Sequence, residues 1–210
     1  MAINLNQKLN DLLETFDLNN KPNLFLHVCC GPCSTAVLYK LFKYFNIYII
    51  FSNSNIDTRD EFDLRLKQLE KVISYNNYNI NIIYNNYNHD DFLSYVKGYE
   101  SCKEGGDRCK KCFELRLSES YNIAKEYISS HNMKNDTNYL CTTLSISPHK
   151  NAELIEEIGE SICSGDEIIK YLPSDFKKED GYLNSIKLSK EYELYRQNYC
   201  GCEFSKSINS

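Results

Sequence analysis

The sequence predicts an α/β protein: a Rossmann-like, mainly parallel sheet with helices on both faces, built as a single domain. Three observations predict it. Short apolar runs alternate with segments of helical period along the chain; the polar segments CCGPC, SNSN and SISPHK each follow an apolar run; and no linker-like stretch divides the 210 residues. Such alternation implies parallel strands joined by helical crossovers. In sheets of that kind ligands sit beyond the carboxyl ends of the strands, so the three polar segments are expected to gather at one edge.

The elements follow in order. Positions 1–22 read as an N-terminal helix or extension, 23–205 as the domain and 206–210 as a tail. Asn23 to Val28 (NLFLHV) is a strand, CCGPC a tight loop, and Thr35 to Phe45, apolar at 37, 38, 41, 42 and 45, a helix. Ile47 to Phe51 is the second strand and SNSNIDTRD its loop, after which Phe62, Leu66, Leu69 and Ile73 mark one helix face. A third strand is expected at Ile80 to Tyr84, a helix around Asp90 to Val96, and a longer helix from Cys112 with the stripe Phe113, Leu117, Tyr121, Ala124 and Ile128. Tyr139 to Thr142 is a strand, SISPHK its loop, Ala152 to Ile162 a helix and Glu167 to Leu172 the last strand. Leu183, Ile186 and Leu188 then precede a helix expected through Tyr192 and Tyr195.

With 42% apolar and 25% charged residues the chain is long enough to bury one sizeable core. No apolar run approaches bilayer length, and the start MAINLNQKLN has neither the basic nor the hydrophobic part of a secretory signal. A cytoplasmic protein without membrane contact is expected. A net charge of −5 argues against a protein that grips nucleic acid over its whole surface, though it permits a local basic patch. There is no GxGxxG, Walker loop or Ser-His-Asp pattern.

Ten cysteines stand out, at positions 29, 30, 33, 102, 109, 112, 141, 163, 200 and 202. Without an export signal, that number points to metal or redox chemistry rather than a disulfide scaffold. Cys29 and Cys30 close a strand, and Cys109 and Cys112 form a CxxC at the start of a helix. Two pairs give the four thiolates of a [4Fe–4S] cluster, and four thiolates equally suit zinc. Adjacent cysteines favour the cluster, because neighbours can reach two irons of one cluster but chelate one small ion awkwardly. Cys200-Gly201-Cys202 could close a strained, redox-cycling disulfide, add two metal ligands, or carry two idle thiols. Cys33 is either a ligand of a second metal or a small helical residue. Cys102, Cys141 and Cys163 read as small buried hydrophobes.

Among the other polar residues, His27 reads as a hydrogen-bonded core histidine. His149 and Lys150, after Ser145, Ser147 and Pro148, suit binding of a phosphate or sugar, or simply form a loop at a helix start. Asn53 and Asn55 either orient a substrate or form an Asx turn. Arg59, Arg65, Lys67 and Lys71 read as a solvated helix face. Lys177, Lys178, Lys187, Lys190 and Arg196, interleaved with Tyr182, Tyr192, Tyr195 and Tyr199, suit an RNA loop whose bases splay onto aromatic rings.

Taken together, HVCCGPCS at 27–34, GGDRCKKCFELRL at 105–117, TTLSISPHKN at 142–151 and DFKKEDGYLNSIKLSKEYELYRQNYCGC at 175–202 resemble the QueH-type, cobalamin-independent epoxyqueuosine reductases. Four separated motifs recur in order over nearly the whole chain. The departures are local: SNSNIDTRD lacks the Pro usual between its asparagines, and Cys102 stands where acidic residues are usual.

The resemblance implies a Rossmann-like fold, a [4Fe–4S] cluster on Cys29, Cys30, Cys109 and Cys112, and Cys200 and Cys202 as the redox-active pair. It also implies an adjacent mononuclear iron, to which Cys33 is a contributor. The implied reaction reduces the epoxide of epoxyqueuosine to the cyclopentene of queuosine at the wobble base of tRNA, in the anticodon loop, with an unidentified electron donor. Two rival readings are a zinc-stabilised, non-catalytic RNA-binding module and a tRNA sulfur-transfer enzyme. The latter should carry an SGGxDS loop where this chain has CCGPCS.

Overall fold

The structure, a computed structural model, describes residues 4–134 and 136–206. Five strands, β1 (Asn23–His27), β2 (Asn46–Phe51), β3 (Asn81–Tyr84), β4 (Asn138–Thr142) and β5 (Ile169–Tyr171), form one sheet in the order β3-β2-β1-β4-β5. Every pairing is parallel. The chain is therefore the single-domain, Rossmann-like α/β protein that the alternation predicts.

β1 is central and every residue of it is buried, with apolar Leu24, Phe25 and Leu26 at its middle, as a strand covered on both faces requires. Leu24 and Leu26 point into one apolar layer with Leu9 and Leu13 of α1 (Leu5–Glu14), Val37 and Leu38 of α2 (Gly31–Leu41), and Phe62 and Leu69 of α3 (Arg59–Tyr75). Phe25, one residue out of phase, points into the other layer with Leu117 and Ala124 of α5 (Asp107–Ser130) and Ile155 of α6 (Ala152–Cys163). Beside these layers, α4 (His89–Tyr95) sets Phe92 against Cys112 and Cys202 in a small third cluster.

The helix expected to run to Phe45 ends at Leu41, where Tyr44 N–H turns back to Leu41 O at 2.9 Å, and four further boundaries differ from those expected, each for a local reason. α2 starts at Gly31, not Thr35: Cys30 is the extended N-cap, and Pro32 suits a first turn whose N–H groups have no intrahelical partner. CCGPC is thus a strand end running directly into a helix. A Cβ on Gly31 would lie 2.6 Å from the Gln68 carbonyl group, so this glycine lets α2 and α3 close on each other. α5 starts at Asp107 rather than Cys112, with the acidic side chain favourably placed in its first turn, so both cysteines of the CxxC are helical. β5 is shorter than expected because Asp166 Oδ1 accepts the Ile168 N–H at 2.7 Å, which delays strand pairing to Ile169.

The fourth correction concerns the C-terminal helix. α7 spans Gly181–Glu191 and contains Leu183, Ile186 and Leu188, whereas Tyr192 is its C-cap and Tyr195 lies beyond it. Glu193 adopts φ 50°, and Leu194 N–H returns to Ser189 O at 2.9 Å, ending the helix there. A short α8 (Glu203–Lys206) follows the last cysteine pair. Positions 207–210 of the expected tail lie outside the described residues.

Candidate metal and substrate site

The loops after β1, β2 and β4 meet at the carboxyl edge, as parallel pairing requires. Asn53 Nδ2 donates to Val28 O at 2.9 Å, and Cys29 N–H to Thr143 Oγ1 at 3.3 Å. His27, fully buried, joins all three strands: Nε2–H donates to Ser52 O at 3.1 Å, and Nδ1 lies 2.7 Å from Thr142 Oγ1. Burial, with the nearby Arg116 charge, pushes its pKa down to about 3, so the ring is neutral and structural, as expected of a core histidine.

Cys29, Cys30 and Cys33 bring their sulfurs within 4.8 Å of one another, a group that can bind a metal. Cys29 and Cys30 lie 3.9 Å apart, and Gln197 Nε2 donates to Cys30 Sγ at 3.2 Å. Bonds from the Cys30 and Cys33 thiols hold the pKa of Cys29 well below the ordinary thiol value, with Lys150 and Arg116 adding to the effect. The Cys30 thiol is correspondingly pushed up to about 11.

Cys109, Cys112, Cys200 and Cys202 line a small neighbouring cavity of about 30 Å³. A larger cavity of about 470 Å³ adjoins it, lined by Cys29, Cys33 and Cys200 with Arg65 and Tyr199. Cys200, His149 and Lys150 line both cavities. Of the two cysteine pairs expected to act together, Cys109 and Cys112 line the small cavity and Cys29 the larger one beside it. Of the four, only Cys29 and Cys30 belong to the tight sulfur group found among the described residues. Burial pushes the Cys112 thiol up to about 12 and raises those of Cys109 and Cys202, so these thiols ionise near neutral pH only with a cation beside them.

The last pair rides on a strap held from below. Arg65, 2% exposed and paired with Glu61 at 2.7 Å, donates from Nη1 to Cys200 O at 2.9 Å. Asp57 N–H donates to Gly201 O at 3.0 Å. Gly201 has φ 134°, and a Cβ there would lie 3.0 Å from Arg65 Nη1 and 3.1 Å from Asn55 Nδ2. This is a conformation and a space that only glycine fits.

Arg65 was expected on a solvated helix face and is instead buried under the strap. Arg116 was not anticipated at all, although Cys109, Cys112 and Arg116 recur at intervals of three and four and so share one face of α5. Asn53 neither orients a substrate freely nor merely turns the chain: its Oδ1 accepts from Arg116 Nη2 at 2.5 Å. Asn55 lines the small cavity with a buried, unpartnered Oδ1. Cys141 and Cys163 are buried as expected, each thiol pushed up to about 12 mainly by burial, whereas Cys102 is half-buried.

The surroundings fit a thiolate-bound metal group. The donor set is sulfur, and the buried guanidinium of Arg116 keeps an unpartnered Nε. A parallel α/β sheet whose carboxyl edge gathers seven cysteines, at positions 29, 30, 33, 109, 112, 200 and 202, around two adjoining cavities defines a cysteine-built redox or metal site on a Rossmann-like frame. A profile of the family Epoxyqueuosine reductase QueH matches residues 24–208. The chain is 36% identical over 192 residues to an "Epoxyqueuosine reductase QueH" of Streptococcus pyogenes, covering 90% of this chain and 72% of that one. It is 38% identical over 191 residues to that of Staphylococcus aureus (88% and 76% covered). Against the Thermotoga maritima protein of that name the identity is 32% over 185 residues, with 87% and 89% covered. The chain belongs to the epoxyqueuosine reductase QueH family and is an oxidoreductase.

Proposed function

We propose that this protein reduces epoxyqueuosine to queuosine at the wobble position of tRNA, the last step of queuosine biosynthesis. The observation that carries the reading is the gathering of the family's cysteines at one sheet edge, around a cavity large enough for a modified base. Cys29, Cys30, Cys109 and Cys112 hold a [4Fe–4S] cluster, and Cys33 serves an adjacent mononuclear iron. When bound, these centres supply electron transfer and a Lewis acid for the epoxide oxygen.

The chain's own residues do the rest. Converting an epoxide to an alkene and water takes two electrons and two protons. Oxidation of the Cys200 and Cys202 dithiol to a disulfide releases two of each, so the strap balances one turnover. An external reductant, whose identity the reading leaves open, then reopens the disulfide. Tyr199, whose O–H donates to Asp57 Oδ1 at 3.3 Å, and His149 at the cavity rim stand where a proton can be passed to the departing oxygen. Tyr182 and Arg196 line the same cavity and offer a stacking face and a cation to the base. The target lies in a single-stranded loop, so little unpairing is needed to reach it.

Lys177 is engaged internally, with Asp175 at 2.8 Å and Lys150 O at 3.4 Å. Exposed Lys178 and Lys187, which line a groove of about 650 Å³ beside α7, are the better phosphate contacts. A tRNA substrate makes the cytoplasm the site of action, and among the described residues no helix is long and apolar enough to cross a membrane.

The test is anaerobic incubation with epoxyqueuosine-containing tRNA and a reductant, followed by nucleoside mass spectrometry. Loss of one oxygen atom from the modified nucleoside is expected. An unchanged nucleoside with iron-loaded protein overturns the reading.

A further inference from the structure

Arg116 is 2% exposed, on the same face of α5 as Cys112 and one turn beyond it. Its Nη2 donates to Asn53 Oδ1, and Asn53 Nδ2 donates to Val28 O, next to Cys29, so the guanidinium is fixed between the two cysteine pairs. Its Nε has no hydrogen-bond partner. None of the ion pairs among the described residues includes it. The neighbouring carboxylate, Glu119, is bonded instead to Ser52 at 2.6 Å and Ser54 at 3.5 Å. Burying an uncompensated charge is costly enough that proteins rarely leave one without a counter-ion. The Glu119 carboxylate still lies within electrostatic reach of Arg116, and the sulfurs of Cys112, Cys29 and Cys200 favour its charge most against the opposing effect of burial.

Lys150 is the second cation at the site, within electrostatic reach of Arg116. It lines both cavities, with Cys29 and Cys33 in one and Cys109 and Cys112 in the other. Burial opposes its charge, and Cys200, Cys29 and Cys33 outweigh that opposition.

We propose that Arg116 and Lys150 are fixed counter-charges at the cysteine site that raise the reduction potential of the metal group held there. This rests on the cluster reading above. A thiolate-bound cluster is an anion that gains a further negative charge on reduction, and net charge and hydrogen bonds to sulfur are principal determinants of cluster potential. Two cations beside it favour the reduced state. Both are positioning residues and neither touches substrate in this role.

The experiment is an anaerobic optical redox titration of the full chain after iron and sulfide reconstitution, with metal content measured on each sample. If the wild-type chain binds no iron and sulfide, the cluster reading and this inference both fall. With a loaded wild type, Arg116→Gln is expected to shift the reduction equilibrium at least about tenfold toward the oxidised state, which is 59 mV for a one-electron couple. Arg116→Lys, which keeps the charge, should shift it less. Lys150→Met, in a half-exposed loop where folding is not at stake, should shift it in the same direction. Loaded Arg116→Gln and Lys150→Met proteins that both titrate as wild type overturn the proposal while leaving the cluster reading intact. If Arg116→Gln fails to fold, an unchanged potential in loaded Lys150→Met overturns it alone.

Discussion

Arg65 Nη1 donates to the backbone carbonyl of Cys200 at 2.9 Å, tying helix α3 to the strap that carries the last cysteine pair. The same guanidinium is paired with Glu61 and buried, so the strap rests on a fixed charge rather than on a mobile side chain. Gly201 lies directly over it.

Substitution of Gly201 by alanine should detach this strap. The new Cβ meets Arg65 Nη1 and Asn55 Nδ2, and φ 134° is strained for any L side chain, costing about 1–3 kcal/mol locally. In Gly201→Ala, alkylation of Cys202, now 8% exposed, should quicken severalfold while global melting changes little. Wild-type alkylation kinetics would show that the contact does not hold the strap.

A different glycine governs the frame. Gly31→Ala would drive a Cβ to 2.6 Å from the Gln68 backbone, forcing α2 from α3 at the point where α2 presents Cys33. Overpacking of this kind costs about 1–3 kcal/mol. A lower denaturation midpoint together with reduced metal loading is expected. Unchanged stability would mean that the helices yield without cost.

Glu156, 5% exposed, has one carboxylate oxygen accepting from Ser174 N–H at 3.3 Å and the other unpartnered. Burial pushes its pKa up from 4.5 to about 7. The folded chain therefore holds this proton more tightly than the unfolded chain does. Its contribution to stability is complete below about pH 4.5 and is lost as pH rises through about 7. At about 1.4 kcal/mol per pH unit across that window, the ceiling is about 3 kcal/mol. Glu156→Gln should accordingly be more stable than wild type in denaturant at pH 8 and similar at pH 4. An equal difference at both pH values would contradict the assignment.

The cysteine roles separate by metal content. Cys29→Ser and Cys109→Ser should each lose most bound iron. Cys200→Ser and Cys202→Ser should keep iron but complete no turnover with a reductant that acts only through the disulfide, because one thiol alone cannot supply two electrons by closing it. Iron loss in all four would assign the strap cysteines to the metal instead.

The alternation of apolar runs made the sheet and the gathering of its loops legible, because a parallel sheet puts every strand's carboxyl end on one side. The cysteine pairs were legible from spacing. Helix starts were not: Gly31-Pro32 looks like a turn in sequence but serves as a first helical turn, because Pro lacks the N–H that such a turn leaves unpartnered. Arg65 and Arg116 were hidden because a charged residue on a helix is ordinarily solvated. Only tertiary packing reveals that one supports a carbonyl and the other faces sulfur. The end of α7 was obscured because the left-handed turn at Glu193 has no glycine to announce it.

The most direct measurement is anaerobic purification of the full chain, with an ultraviolet–visible spectrum and iron, sulfide and zinc analysis of the same sample. The account predicts a brown protein with broad absorbance that bleaches on reduction, containing about four sulfides per chain and about five irons, four of the cluster and one beside it. A colourless protein with stoichiometric zinc and no sulfide would contradict it and favour the RNA-binding module.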